Sequence, residues 1–199
     1  MKIYAIIPIN NELEDLMVIN INDLGFSQIY LSSKKIESIQ KWFDKSLKNF
    51  DPIPVRDFIG KGQLFLTDGH TRTFVAWKNG IKELPVLYDK DEDLVTNDLS
   101  LEMYLNCINW CKRLKINNIS DFSNRILSEE KYNELWNKRC DRLHYLVKAL
   151  KNGKIAREFF IEKENQLKEK DLYIYGISKD LKILYCENNY EEQFEIRIK

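Results

Sequence analysis

The chain has 199 residues, 44% of them hydrophobic and 12% aromatic, enough to bury a core as one large domain or two small ones. Lys and Arg number 31, as do Asp and Glu, so no global field draws the chain onto nucleic acid or a membrane, and a nucleic-acid role would need a local basic patch. No apolar run is long enough to span a membrane and the first residues lack a secretory pattern. Cys107, Cys111, Cys140 and Cys186 match no disulfide framework or CxxC metal knuckle, which makes a reduced, cytoplasmic setting the expectation.

In chain order, residues 2–7 (KIYAII) and the alternation around Met17 to Ile21 read as strands, with a turn at Asn10 to Glu12. Ser32 or Ser33 is a suitable N-cap for a helix running to about Asn49, with Ile36, Ile39 and Phe43 along one side. Asp51-Pro52-Ile53-Pro54-Val55-Arg56 is a strand reached through prolines, which cannot continue that helix. Gln63 to Thr67 predict a second strand, and Asp68-Gly69-His70-Thr71-Arg72 a charged turn after it. Phe74, Val75 and Trp77 fall at helical spacing, and a Leu-Pro-Val strand follows Gly80.

The run DKDEDLVTND, residues 89–98, is acidic and suits a solvated connector, placing a boundary between a domain at 1–95 and a second at 96–199. It lacks the glycine and terminal glutamate of a calcium loop. From Leu101 the pattern is helical. A longer helix is predicted from about Ser128 to Leu150, with Leu135, Trp136, Leu143, Leu146, Val147 and Leu150 as its buried stripe and Asn152-Gly153 beyond its end. A charged helix over residues 155–170 precedes three short strands, DLYIYGI, KILYCEN and QFEIRIK, which read as an antiparallel meander. The fold class is thus α/β (α+β): a mixed sheet with helices, then a helical segment and a small C-terminal meander.

The turn at residues 68–72 carries the most chemistry. A strand-to-helix turn puts His70 or Thr71 near a helix N-terminus, where free N–H groups and the positive end of the helix dipole favour an anion such as phosphate. Arg72 adds a permanently charged donor fork. His70 has a reference pKa near 6.5, close to working pH, which suits proton transfer or donation to a phosphate oxygen. Asp68, beside an anion site, calls for Mg²⁺ or a proton-accepting role, or is an ordinary turn residue. Cys107 and Cys111, four apart on a helix, could reach one metal, although buried free cysteine is the commoner arrangement. From Lys131 to Arg157 there are eight Lys or Arg against two acids, a basic stretch without helix-turn-helix spacing.

The ordered series of helix, Pro-Ile-Pro-Val strand, second strand, charged turn, helix and Leu-Pro-Val strand resembles the ParB and sulfiredoxin superfamily over roughly residues 15–90. In that family a strand-to-helix turn ending in Arg holds nucleotide phosphates, and Asp68-Gly69-His70-Thr71-Arg72 is most similar to the free-serine kinase branch. The resemblance implies a nucleotide-binding domain using ATP or ADP, or CTP, with Mg²⁺, and transfer of a phosphoryl group to a small hydroxyl-bearing metabolite. Gly69, His70, Thr71, Arg72 and Thr73 would hold phosphate, Asp68 would hold the metal or the acceptor, and Asp68 and His70 would be catalytic. Where that branch carries a catalytic carboxylate, this chain reads LGFSQIYLSSKK, and Gln28 is not a base; Asp23 and Glu37 are the nearest carboxylates. His70 stands where sulfiredoxins have a cysteine. The other reading that the resemblance allows is a ParB-type nucleotide-gated adaptor for DNA or a partner protein, or the related "ParB-like nuclease", for which no carboxylate cluster is visible.

Overall fold

The computed structural model describes residues 16–91 and 98–198, without the side chain of Asp98. The predicted strand at residues 2–7 and most of the acidic connector lie outside the described residues. The architecture is mixed α/β. Strand β1 (Leu16–Asn20) is, among the described residues, the outer strand of a four-stranded sheet of order β1-β5-β3-β4, with β3 at Ile53–Arg56, β4 at Phe65–Leu66 and β5 at Glu83–Tyr88. β5 pairs antiparallel with β1 and parallel with β3, and β3 pairs antiparallel with β4. Alternation decides which face is buried: Ile53, Val55, Leu84 and Val86 are fully enclosed, whereas Pro54, Arg56 and Pro85 are partly exposed. Helix α1 (Ser33–Gln40) and helix α2 (His70–Lys78) pack together, and Phe74, Val75 and Ala76 of α2 enter the same core.

Two elements are shorter than their sequence predicts. The helix expected to reach Asn49 stops at Gln40, capped at its start by Ser32. Beyond it the Asp44 carboxylate accepts hydrogen bonds from the backbone N–H and hydroxyl of Ser46, and Leu47 takes a positive φ of 56°. A side chain that satisfies nearby backbone donors competes with the helical ladder. The strand expected over 63–67 is confined to Phe65–Leu66. Before it, Asp57 gathers the N–H groups of Ile59, Gly60 and Gly62 into a loop that delays the return to extended backbone.

After the connector come helix α3 (Asp98–Arg113), a 3₁₀ segment (Ile119–Asn124), and then a helical run capped by Ser128 as expected. That run comprises α4 (Glu129–Tyr132), a π-helical turn (Asn133–Asn137) and α5 (Lys138–Lys151). Helix α6 (Arg157–Lys168) leads to the antiparallel meander of β7 (Tyr173–Ile177), β8 (Ile183–Glu187) and β9 (Gln193–Arg197), as the alternating sequence predicts. One pairing escaped the sequence: β2 (Leu31–Ser32) lies parallel to β6 (Ile126–Leu127). The main hydrophobic core contains Ile53, Val55, Leu84 and Val86 together with Trp110, Phe122, Trp136, Leu143 and Tyr175, so side chains from both sides of the acidic connector share it. Among the described residues no helix is long and apolar enough to cross a membrane.

Candidate functional site

The turn from β4 into α2 is held from three sides. Thr67 donates its N–H to Pro54 of β3 and its hydroxyl to the Asp89 carboxylate, while its carbonyl accepts from the Tyr104 hydroxyl of α3. Two residues on, Gly69 occupies the left-handed region at φ 79°, and a Cβ there would stand 2.8 Å from Cδ1 of Ile53. Both the backbone and the space therefore demand glycine. Gly69 is the N-cap, so no side chain caps α2, and the positive end of its dipole opens into a cleft of about 270 Å³.

The predicted residues Asp68, Gly69, His70, Thr71 and Arg72 all line that cleft; Thr73 does not. Thr73 is 0% exposed on the core side of the helix, so its expected contact with phosphate has no route through this cleft. Facing the turn from α1 are Lys35, Ser38 and Ile39, and Gln28 completes the wall. The sequence offered a weak signal for the α1 residues: with Ile36 and Ile39 turned inward, Lys35 and Ser38 occupy the flanks of the buried stripe. Lys35 lies 5.4 Å from the centre of the Tyr132 ring, and Gln28 donates to Tyr30 O and Tyr132 Oη, which fixes its amide. Neither Asp23 nor Glu37 reaches the wall, so Asp68 is the one carboxylate among the residues that line the cleft.

His70 sits differently from an exposed proton-transfer group. It is 4% exposed, and its Nε2 accepts the backbone N–H of Ser27 at 3.1 Å, leaving the ring proton on Nδ1. The Ser27 hydroxyl donates to Leu66 O at 2.7 Å. Ser27 is brought there because residues 25–27 run beside β4, where Gly25 meets the Phe65 ring so closely that a Cβ would lie 2.4 Å from it. Burial pushes the His70 pKa down to about 4, against a smaller opposing pull from Asp68. The imidazole is therefore neutral at pH 7 and ties the turn to the segment before β2.

Arg72 is partly committed. Its Nη1 donates to Asp51 O at 3.1 Å, its guanidinium lies 6.0 Å from the centre of the Phe50 ring, and Nη2 stands 3.7 Å from Oδ2 of Asp68. The Asp68 side chain is 82% exposed, so this is a loose pair in high dielectric. Phosphate fits such a wall: two cations, Lys35 and Arg72, an uncapped helix N-terminus, and the hydroxyl-bearing residues Thr71 and Ser38. For a divalent cation the wall supplies Asp68 alone, and no group of three or more His, Cys, Asp or Glu that could hold a metal occurs among the described residues. Mg²⁺ commonly binds through one or two carboxylates plus substrate phosphates, so Asp68 would hold it only together with a bound phosphate.

Cys107 and Cys111 are buried, and burial raises both thiols, Cys111 to about 12. Cys111 Sγ donates to Gln28 O. These are packed thiols behind the cleft wall. In the basic stretch from Lys131 to Arg157, Arg139 and Arg142 are turned inward, whereas Lys131, Lys138, Lys148, Lys154 and Arg157 are exposed. Arg139 and Glu187 pair while fully buried, Lys138 pairs with Glu134, and Arg142 Nη1 donates to the Tyr175 hydroxyl at 3.0 Å. Arg157 faces Glu102 at 3.7 Å.

No protein-family model matches the chain, and no curated protein matches it. Among solved structures it is similar to protein Atu1540 from Agrobacterium tumefaciens, with a TM-score of 0.37 and 17% sequence identity, over 78% of this chain and 89% of that one. A likeness at that level assigns neither a fold family nor an activity.

Proposed function

We propose that the cleft at the N-terminus of α2 binds the phosphates of a nucleotide, and that the protein uses it for Mg²⁺-assisted phosphoryl transfer to a small hydroxyl-bearing molecule. The observation that carries this reading is the convergence of Lys35 from α1 and Arg72 from α2 on one cleft with the uncapped helix end. Cations beside the positive end of a dipole repel it and one another until an anion lies between them. Phosphoryl transfer asks mainly for positioning and charge neutralisation, which such a wall supplies. Bound Mg²⁺ would neutralise the developing charge on the phosphates. Asp68, at the exposed mouth, would be its protein ligand or would accept the proton of the acceptor hydroxyl. His70, neutral and fixed by Ser27, would orient the turn, with Nδ1–H as its donor.

The adaptor reading has less support, because Arg139 and Arg142 of the basic stretch are turned into the protein, on Glu187 and Tyr175. One calorimetric series tests the two together. ATP, ADP, CTP and inorganic phosphate are titrated with and without Mg²⁺ into wild type, Arg72→Ala and Lys35→Ala, and duplex DNA into wild type. Each charge-assisted hydrogen bond is worth roughly 1.5–3 kcal/mol, so each substitution should weaken phosphate-bearing ligands about tenfold or more. Wild-type affinity in both variants would show that the phosphate lies elsewhere. Tight sequence-preferring binding of duplex DNA would favour the adaptor.

A further inference from the structure

Among the described residues β9 is an edge strand, since the meander runs β7-β8-β9 and β9 pairs there with β8 alone. Ile198 donates its N–H to Lys182 O and Glu192 O accepts from Asn188 N, so the even-numbered residues of this strand turn their backbone groups toward β8. By the alternation of an antiparallel ladder, the N–H and C=O groups of Gln193, Glu195 and Arg197 point outward from the sheet edge. The side chains divide into two faces as well. Phe194, Ile196 and Ile198 share one face, where Ile196 and Ile198 pack on a second, smaller core and Phe194 is 40% exposed. Glu195 and Arg197 lie on the other face, and neither forms an ion pair among the described residues.

Among the described residues nothing covers all of this face: Phe194 is 40% exposed. A groove of about 590 Å³ runs between α6 and this end of the sheet, with an apolar floor that includes Leu167, Leu184, Ile196 and Ile198 and with Lys163, Gln166, Lys170 and Arg197 also lining it. Phe159 is 38% exposed within it. An exposed edge with an alternating apolar face is a template for another strand, and the order of charges along β9 indicates which strand.

We infer that a second copy of this chain adds to the edge, β9 against β9, antiparallel and centred on Ile196. In that register Glu195 lies opposite the partner's Arg197 and Arg197 opposite the partner's Glu195, each pair exchanging the outward backbone hydrogen bonds. Phe194 lies opposite the partner's Ile198, so both apolar faces join on one side of a continuous sheet. The neighbouring registers that also match outward backbone groups are worse. Centring on Glu195 sets it against the partner's Glu195, and centring on Arg197 sets two guanidinium groups against each other. Opposite charges facing across a strand pair stabilise it and like charges destabilise it, so this edge selects its own copy and a single register. The interface is remote in sequence from the cleft residues and does not depend on the function proposed for them.

Sedimentation velocity on the full chain, with far-UV circular dichroism as a check of folding, tests the inference. At about 0.1 mM, where a dimer of micromolar dissociation constant is largely assembled, wild type should sediment as twice the 23.8 kDa chain. Arg197→Glu places carboxylates opposite each other in both pairs and should raise the dissociation constant about tenfold or more. The double variant Glu195→Arg/Arg197→Glu restores opposite charges with the polarity exchanged and should dimerise again. A monomeric wild type, an undisturbed dimer in Arg197→Glu, or a folded double variant that stays monomeric would each overturn the proposal.

Discussion

Arg72 and Arg139 both face a carboxylate, yet one belongs to an open cleft and the other to a closed joint. Arg72 meets Asp68 at 3.7 Å with the carboxylate largely in water. Arg139 grips Glu187 with both terminal nitrogens at 2.6 Å, and each side chain is 1% exposed. Its guanidinium is also stacked between Trp110 and Tyr175, 4.1 and 4.3 Å from the ring centres, while Arg113 reaches the same Glu187. Burial pushes the Arg139 pKa down to about 10, which still leaves it cationic at neutral pH. Glu187 and Tyr175 come from the meander and Arg113, Trp110 and Arg139 from the helices, so this cluster fastens the two together. Solvent screens the first pair and leaves it free to exchange partners, whereas low dielectric makes every member of the second indispensable to the others.

Removing one member of the closed joint should have the largest effect on the molecule. Glu187→Ala strands Arg139 without its counter-ion in the core and should cost about 3–5 kcal/mol, read as the change in urea unfolding free energy. A loss under about 1 kcal/mol would mean that water reaches the cluster and the contrast with Arg72 is weaker than the geometry implies.

His70 extends the contrast into pH. The folded chain holds it neutral with a pKa of about 4, below the unfolded value near 6.5, so the unfolded chain binds the proton more readily between those values. The stability that depends on this histidine is present in full above about pH 6.5 and falls as the pH drops toward 4, by about 3 kcal/mol for a shift of this size. Unfolding titrations at pH 7 and pH 4.5 should show the loss in wild type and a flatter profile in His70→Gln.

Gly69→Ala should cost about 1–2 kcal/mol for the left-handed backbone alone, with a further loss from contact with Ile53. It should also weaken phosphate binding, because the first turn of α2 cannot stay in place; unfolding and calorimetry on one preparation give both numbers. The smallest effect belongs to Asp68→Asn. As half of an exposed pair it should change stability by less than about 1 kcal/mol. In calorimetry it should tighten Mg²⁺-free phosphate binding by releasing Arg72, and abolish the gain that Mg²⁺ gives to nucleotide binding. If both stay at wild-type values, Asp68 only shapes the turn.

Much of this contrast was not legible in the sequence. The turn itself was, because glycine after an apolar strand and Phe74, Val75 and Trp77 at helical spacing are local signals, and the cleft residues Asp68 to Arg72 followed from it. The long helix after Ser128 and the three strands of the meander were readable for the same reason. Lys35 was legible only weakly, since a residue 33 positions away reaches the turn only through the packing of α1 on α2. In the basic run from Lys131, charge alone does not say that Arg139 is among the most deeply buried of the described side chains.

The sequence by itself showed where backbone hydrogen bonds could be satisfied within a few residues, and so it located most of the described elements, the Ser32 and Ser128 caps and the turn, though not every boundary. The tertiary structure decided what each charge is worth. Ser27 and burial make His70 a neutral strut, exposure leaves Asp68 and Arg72 loosely paired at a cleft mouth, and the meander closes over Arg139. Hydrogen-bonding geometry is set by near neighbours in the chain, but solvation and dielectric depend on everything packed around a group, most of which is distant in sequence.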